Sequence, residues 1–280
     1  MKKSTSLVIV ILMAILFMSS QGTAQFSNNQ YHAPRIIDFA DQKWLIETYM
    51  NEKSYPGPNF YSNDENHVWV DNKGFLNLTI QKNEFGQWAC SSVKSLVPAK
   101  YGIHRFKVIG NLEDLDKNVV VGMFFYRVDP MFPDQRSEVD IELSSWGFPK
   151  DTPEGTIHPS SNVHYVLWEP WTNVTSPKVQ SSESFWMDMP RGTHTSHELS
   201  WHPKTLSFMS YYGHSSTNPN KKVANYFELS NTKSDSWVLP KEDEKMHLLI
   251  NFWLHESDHP FCLQNQNIKI KYEFEPYQEP

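Results

Sequence analysis

Residues 137–143 read SEVDIEL, so Glu138, Asp140 and Glu142 stand at every second position with Val139, Ile141 and Leu143 between them. Along an extended strand, residues two apart point the same way. This spacing puts three carboxyls on one face and three apolar side chains on the other. A solvated surface strand is the simple explanation, yet such strands mix charge signs, because like charges in a row repel. The same row suits glycoside hydrolysis with retention, which uses a nucleophilic carboxylate and an acid/base carboxyl roughly 5–5.5 Å apart. The backbones of 138 and 142 would lie about 13 Å apart at 3.3 Å per residue. Two Glu side chains leaning inward close most of that gap. The three charges raise one another's proton affinity, which suits a group that must stay protonated to act as an acid. Titration then belongs to the set rather than to one residue.

The elements that must hold this row are short alternating segments. HVWVD (67–71), FLNLTIQ (75–81), GIHRFKVIG (102–110), VVVGMFFYRV (119–128), SEVDIEL (137–143), NVHYVLW (162–168), HTSHELSW (194–201), TLSFMSYYG (205–213), HLLINFWL (247–254) and IKIKYEFE (268–275) all suit strands. Turn residues such as DNKG, DPMFPD and HPK bound them. Helical periodicity with caps is hard to find after residue 44. Ten or more short strands predict an all-β, antiparallel sandwich, with one face of each sheet packed and the other left to water or a ligand. Segments such as GMFFY and INFW would flank the carboxyl row with aromatic rings.

The first residues stand apart. MKKSTSLVIVILMAILFMSSQGTAQ joins Lys2 and Lys3 to an apolar run, with Gly22 and Ala24 at the spacing a signal peptidase prefers. The expectation is a secretory signal over 1–24, cleaved after Ala24, and one domain over 25–280 in a secreted or periplasmic protein. Removing 1–24 takes two lysines and no acid, leaving 23 basic and 32 acidic side chains and a net charge of −9. That balance, without a basic stripe, argues against nucleic acid and anionic membrane as partners. A monomer is expected. Cys90 and Cys262 are the two cysteines. In an exported protein they either pair across a long loop or stay as small buried hydrophobes.

SEVDIEL resembles the E-x-D-x-E signature of glycoside hydrolase family 16, which includes lichenases, laminarinases, xyloglucan endotransglycosylases, agarases and carrageenases. The resemblance extends through VWVDNKGFLNLTIQ, WACSSVKSLVPAKYGIHRFKV, HTSHELSWHPKTLSFMSYYG and HLLINFWL, in the family's order, over most of residues 35–275. It implies a jelly-roll sandwich whose concave face forms a polysaccharide cleft. It implies Glu138 as nucleophile, Glu142 as acid/base and Asp140 as the residue that orients and tunes the pair. The absence of an extra residue between Asp140 and Glu142 resembles the lichenase and xyloglucan branch, where other branches insert a bulge. The favoured substrate is therefore a β-glucan.

Asn251 and Trp253 match the family's N-x-W, which implies contacts to the sugar beside the scissile bond. Trp253 reads either as a stacking platform or as a core aromatic. Phe125 reads equally as a cleft wall or as core. Lys94 stands where lichenases often have Arg, and Ser92 where they have Glu. Arg136 stands where they commonly have Trp. Arg136 would stack on a sugar, bind an acidic or sulfated glycan, or neutralise the carboxylate row. His164 and Tyr165 fall near the family's reaction centre, and Trp168 and Trp171 follow as extensions of the cleft.

Other signals carry less. His194, His197 and His202 lack the HExxH pattern, and a strand would point 194 and 197 to opposite faces. No cofactor is required, although the family resemblance is compatible with a structural calcium. Asn77-Leu-Thr and Asn173-Val-Thr match a glycosylation sequon that is common by chance. No G-x-S-x-G elbow is present. The reading is an endo-acting retaining glycosidase. A transglycosylase on the same scaffold differs only in its final acceptor, and a carbohydrate-binding lectin would have no need of the full acidic triad.

Overall fold

The computed structural model describes residues 34–49, 52–110, 112, 115–128, 136–147, 161–168, 179–190, 192–218, 220–230, 238–256 and 258–279, with Val128 and Arg136 as backbone only. The leader expected at 1–24 lies outside them.

Sixteen strands run along the described chain. They are β1 (Arg35–Phe39), β2 (Gln42–Ile46), β3 (Phe60–Tyr61), β4 (Val68–Val70), β5 (Leu76–Lys82) and β6 (Trp88–Pro98). Then come β7 (Gly102–Ile109), β8 (Val119–Val128), β9 (Arg136–Ser144), β10 (Val163–Trp168) and β11 (Val179–Phe185). The last are β12 (His194–Trp201), β13 (Thr205–Tyr212), β14 (Val223–Ser230), β15 (His247–Leu254) and β16 (Gln266–Pro276). Among the described residues the only helical element is a 3-10 turn at Glu242–Glu244.

The strands form two antiparallel layers. The first has the order β11-β10-β9-β8-β15-β6, with β2 and then β1 beyond β6. The second has the order β5-β16-β7-β12-β13-β14, with β4 on the free side of β5. The start of β6 pairs with the end of β5 and joins the layers at that corner. This is the antiparallel β-sandwich that the alternating segments predict.

Between the layers lies one continuous core. From β9 it takes Val139 and Ile141, both fully buried, and Leu143. From the opposite layer come Phe106, Val108, Leu199, Trp201 and Phe208. Burying side chains of this size contributes about 1.5–3 kcal/mol each, and β9 can bury its apolar set in only one register. That register places Glu138, Asp140 and Glu142 on the outer face of the first layer. The core also holds a polar chain: Tyr165 Oη–H donates to Ser210 Oγ (2.6 Å), and Ser210 Oγ bonds His197 Nδ1 at 2.7 Å.

Several expectations change here. Phe125 is fully buried, its ring packed on His104 and Trp201 of the opposite layer, so it belongs to the core and not to the cleft. Tyr165 likewise faces inward, stacked on Phe208 at 4.9 Å, because only one of two successive strand residues can face the carboxyl row. Cys90 is buried and Cys262 exposed, and both are free thiols, so no bridge links them. Asn77 is fully buried on β5, which leaves its sequon inaccessible. Asn173 and Trp171 lie outside the described residues.

Candidate active site

β9 is flanked by β8 and β10, and the register runs without a shift past all three carboxyls against β8 and past Asp140 and Glu142 against β10. No bulge separates Asp140 from Glu142. Residues directly opposite in an antiparallel pair share a face, so the pairings write out the floor of the site. Glu142 lies opposite His164 on β10 and Gly122 on β8; Gly122 faces Asn251 on β15, which faces Ser92 on β6. Asp140 lies between Val166 and Phe124, and that row continues through Leu249 to Lys94. Glu138 faces Tyr126, which faces His247.

The surroundings of Asp140 and Glu142 raise the proton affinity of both. Asp140 is buried, and desolvation followed by the charges of Glu138 and Glu142 pushes it well above the usual carboxylate range. It therefore carries a proton, shared in a hydrogen bond with Glu138. Its other partner is Trp168, whose Nε1–H donates to Asp140 Oδ2 at 2.6 Å. Burial pushes Glu142 up to about 7. Glu142, an acid that holds its proton up to near neutrality, thus stands two residues from Asp140 and four from Glu138, to which Asp140 is hydrogen-bonded.

His164 faces the same side, but both its ring nitrogens are taken. Nε2–H donates to the Ser144 carbonyl (2.9 Å), so Nδ1 accepts from Ser184 Oγ–H (2.9 Å). Burial lowers its pKa to about 4, which keeps the ring neutral. It has no nitrogen left for a sugar hydroxyl and serves as a fixed wall beside Glu142. Trp253 shares the face of Asn251, yet it is only 3% exposed and lies in an aromatic cluster with Trp146 and His255. Trp146 also packs on His164 at 5.8 Å. The cluster closes the end of the floor beyond Glu142.

Gly122 has a clear reason to lack a side chain. A Cβ there would stand 2.3 Å from Asn251 Oδ1, so the amide lies over the glycine, beside the space opposite Glu142. That Oδ1 is buried without a hydrogen-bond partner. Lys94 is half-buried on the same face. Of Arg136 only the backbone is described, opposite Val128 at the start of β9. Sequence reasoning missed Phe124, Tyr126, Gly122 and Trp146. The first three were accessible from the spacing of Phe125, since residues one and three positions from it along a strand must point the other way. Trp146 carried no such signal.

Among the described residues no group of three or more His, Cys, Asp and Glu is placed to hold a metal ion. His197 is buried in the core, while His194 stacks on His214 outside it.

Two antiparallel layers with a carboxyl row on an outer face give the chain the jelly-roll fold of the family 16 glycoside hydrolases. A Bacillus licheniformis β-glucanase matches it with a TM-score of 0.51 and 13% identity, over 89% of this chain and 95% of that one. A family 16 endo-glucanase from Bacteroides ovatus gives 0.55 and 13%, over 82% and 92%. A pseudo β-1,3-glucanase and immunostimulatory antigen of Mycobacterium tuberculosis gives 0.53 and 13%, over 82% and 88%. At such identities the likeness is one of fold. No family model matches the sequence, and no curated protein matches it.

Proposed function

We propose that the protein is an exported endo-glycosidase that hydrolyses a β-glucan with retention, as one catalytic domain over residues 25–280. The observation that carries this reading is the division of roles within one strand. Glu142 is raised to about 7, and Asp140 is raised and bonded to Glu138. In the first step the Glu142 carboxyl protonates the glycosidic oxygen while Glu138 attacks the anomeric carbon, which breaks the C–O bond and forms a glycosyl ester. In the second, the Glu142 carboxylate takes a proton from water as the oxygen of that water displaces Glu138. Asp140 keeps its proton throughout and donates it in a hydrogen bond to the nucleophile. Asn251, Lys94 and Arg136 are proposed to bind the sugar chain, with Trp253 supporting the floor.

The likeness to β-glucanases supports the substrate class, while the pseudo-glucanase of the same fold keeps a purely binding role in view. Transfer to a sugar acceptor in place of water is the remaining alternative. The test is reducing-end release from lichenan, laminarin, xyloglucan, agarose and carrageenan by the mature protein, with Glu138→Gln beside it. Cleavage of one polymer, abolished by the substitution, is the expected result. Retention of both proteins on a polymer in a binding gel, with no cleavage of any, would replace the enzyme with a lectin.

A further inference from the structure

We infer that Glu47 is a substrate-binding residue of this site, accepting a hydrogen bond from a sugar hydroxyl several units along the chain from the bond that is cut. The inference rests on the glycosidase reading. Glu47 follows the last residue of β2, and its backbone N–H donates to the Ser92 carbonyl (2.9 Å). Ser92 Oγ–H donates in turn to Glu47 Oε2 at 2.7 Å. Ser92 is the last member of the row Glu142–Gly122–Asn251–Ser92, so its hydroxyl rises on the carboxyl-bearing face and brings the Glu47 carboxylate there with it.

Two features suit a polyhydroxyl ligand. Asn251 Oδ1 is a buried acceptor with no donor, and leaving such a group unsatisfied is costly. Glu47 is partly exposed, and among the described residues no cation pairs with it. One of its oxygens is taken by Ser92, and a carboxylate has about four lone-pair sites to fill. Tyr49 lies close enough that the charge on Glu47, after burial, helps raise its phenol to about 12. The row therefore offers acceptors at two points along a line across the strands, and a glycan chain supplies donors at intervals. From β9 to β6 is three strand spacings, about 14 Å. One sugar bound at Glu142 does not span that distance; a chain of several does.

The experiment compares wild type with Glu47→Gln, a substitution of the same shape, on lichenan, laminarin and their oligosaccharides of increasing length. Thermal unfolding serves as the check on folding. If Glu47 reads a distant sugar, KM for the polymer rises about tenfold, the loss expected for a charge-assisted hydrogen bond, and the effect falls away as the chain is shortened. The same effect at every length, or none at any, would overturn the inference while leaving the enzyme intact. If wild type cleaves neither polymer, it is the proposed activity that has failed. Retention in a lichenan or laminarin gel then decides Glu47: weaker retention of the variant supports the contact, and equal retention, or none by either protein, removes it.

Discussion

Glu142 and Asp140 differ by two positions and by little in chemistry, yet the fold treats both as acids that hold their protons. For Glu142 the cause is burial alone, which pushes it up to about 7. Catalysis that needs its proton is complete below that value and declines above it. The expected kcat/KM profile therefore has an alkaline limb near pH 7, an apparent value that belongs to the carboxyl set. The same shift bears on stability. A carboxyl whose folded pKa lies above its unfolded value destabilises the native state as pH rises from about 4.5 to about 7. Glu142→Gln removes that ionisation, so its thermal midpoint should exceed that of wild type by a margin that grows across this window. The shift sets the ceiling at about 3 kcal/mol. A margin that is flat with pH would place the Glu142 proton elsewhere.

At the scale of elements, the site is made by three adjacent strands in register. β9 supplies the carboxyls, β8 leaves Gly122 open beside Asn251, and β10 ends on Trp168, which holds Asp140 through Nε1–H at 2.6 Å. Trp168→Phe keeps most of the ring and deletes that donor. Since the bond to Trp168 opposes the upward shift of Asp140, its loss raises Asp140 further and frees the side chain to turn. The expected result is a fall of roughly tenfold in kcat with a smaller change in KM, the size of a hydrogen bond to a carboxyl. Steady-state kinetics on the polymer that is cleaved measure it. An unchanged kcat would mean that Asp140 is held by Glu138 alone. The strands that the sequence did not announce are also explicable. β11 reads VQSSESF and is half-buried at every position, so no apolar alternation marks it. β6 carries Ser91, Ser92 and Ser95 in its buried stretch, where hydrogen bonds to Thr79 of β5, to Glu47 beyond β2 and to Leu248 of β15 replace apolar contacts.

For the whole molecule, two sets of buried groups pull stability in opposite directions with pH. Desolvation lowers His104 and His164 to about 4 and His197 to about 3. Each is neutral in the folded protein, so the stability it preserves is complete above the unfolded value of about 6.5 and is lost as pH falls toward 4. Asp140 and Glu142 act the other way across part of that range. Glu142→Gln removes one opposing group, so its urea midpoint should fall more steeply between pH 6.5 and 4.5 than that of wild type. Parallel slopes in the two proteins would show that the carboxyl cluster does not couple to folding.

The sequence by itself determined the strand period, the sandwich and the side of β9 on which the carboxyls stand. These follow from local alternation, because a strand with Val139, Ile141 and Leu143 on one face has one way to bury them. Asn251 and Lys94 came instead from the family resemblance, and strand pairing places both on the carboxyl-bearing face. What only the tertiary structure decided was which neighbours share that face. Pairing between strands far apart in the chain sent Phe125 and Tyr165 into the core, brought Trp168 onto Asp140, left Cys90 and Cys262 apart, and set Glu47 above Ser92. Each of these turns on contacts between segments far apart in the chain, which no single segment contains.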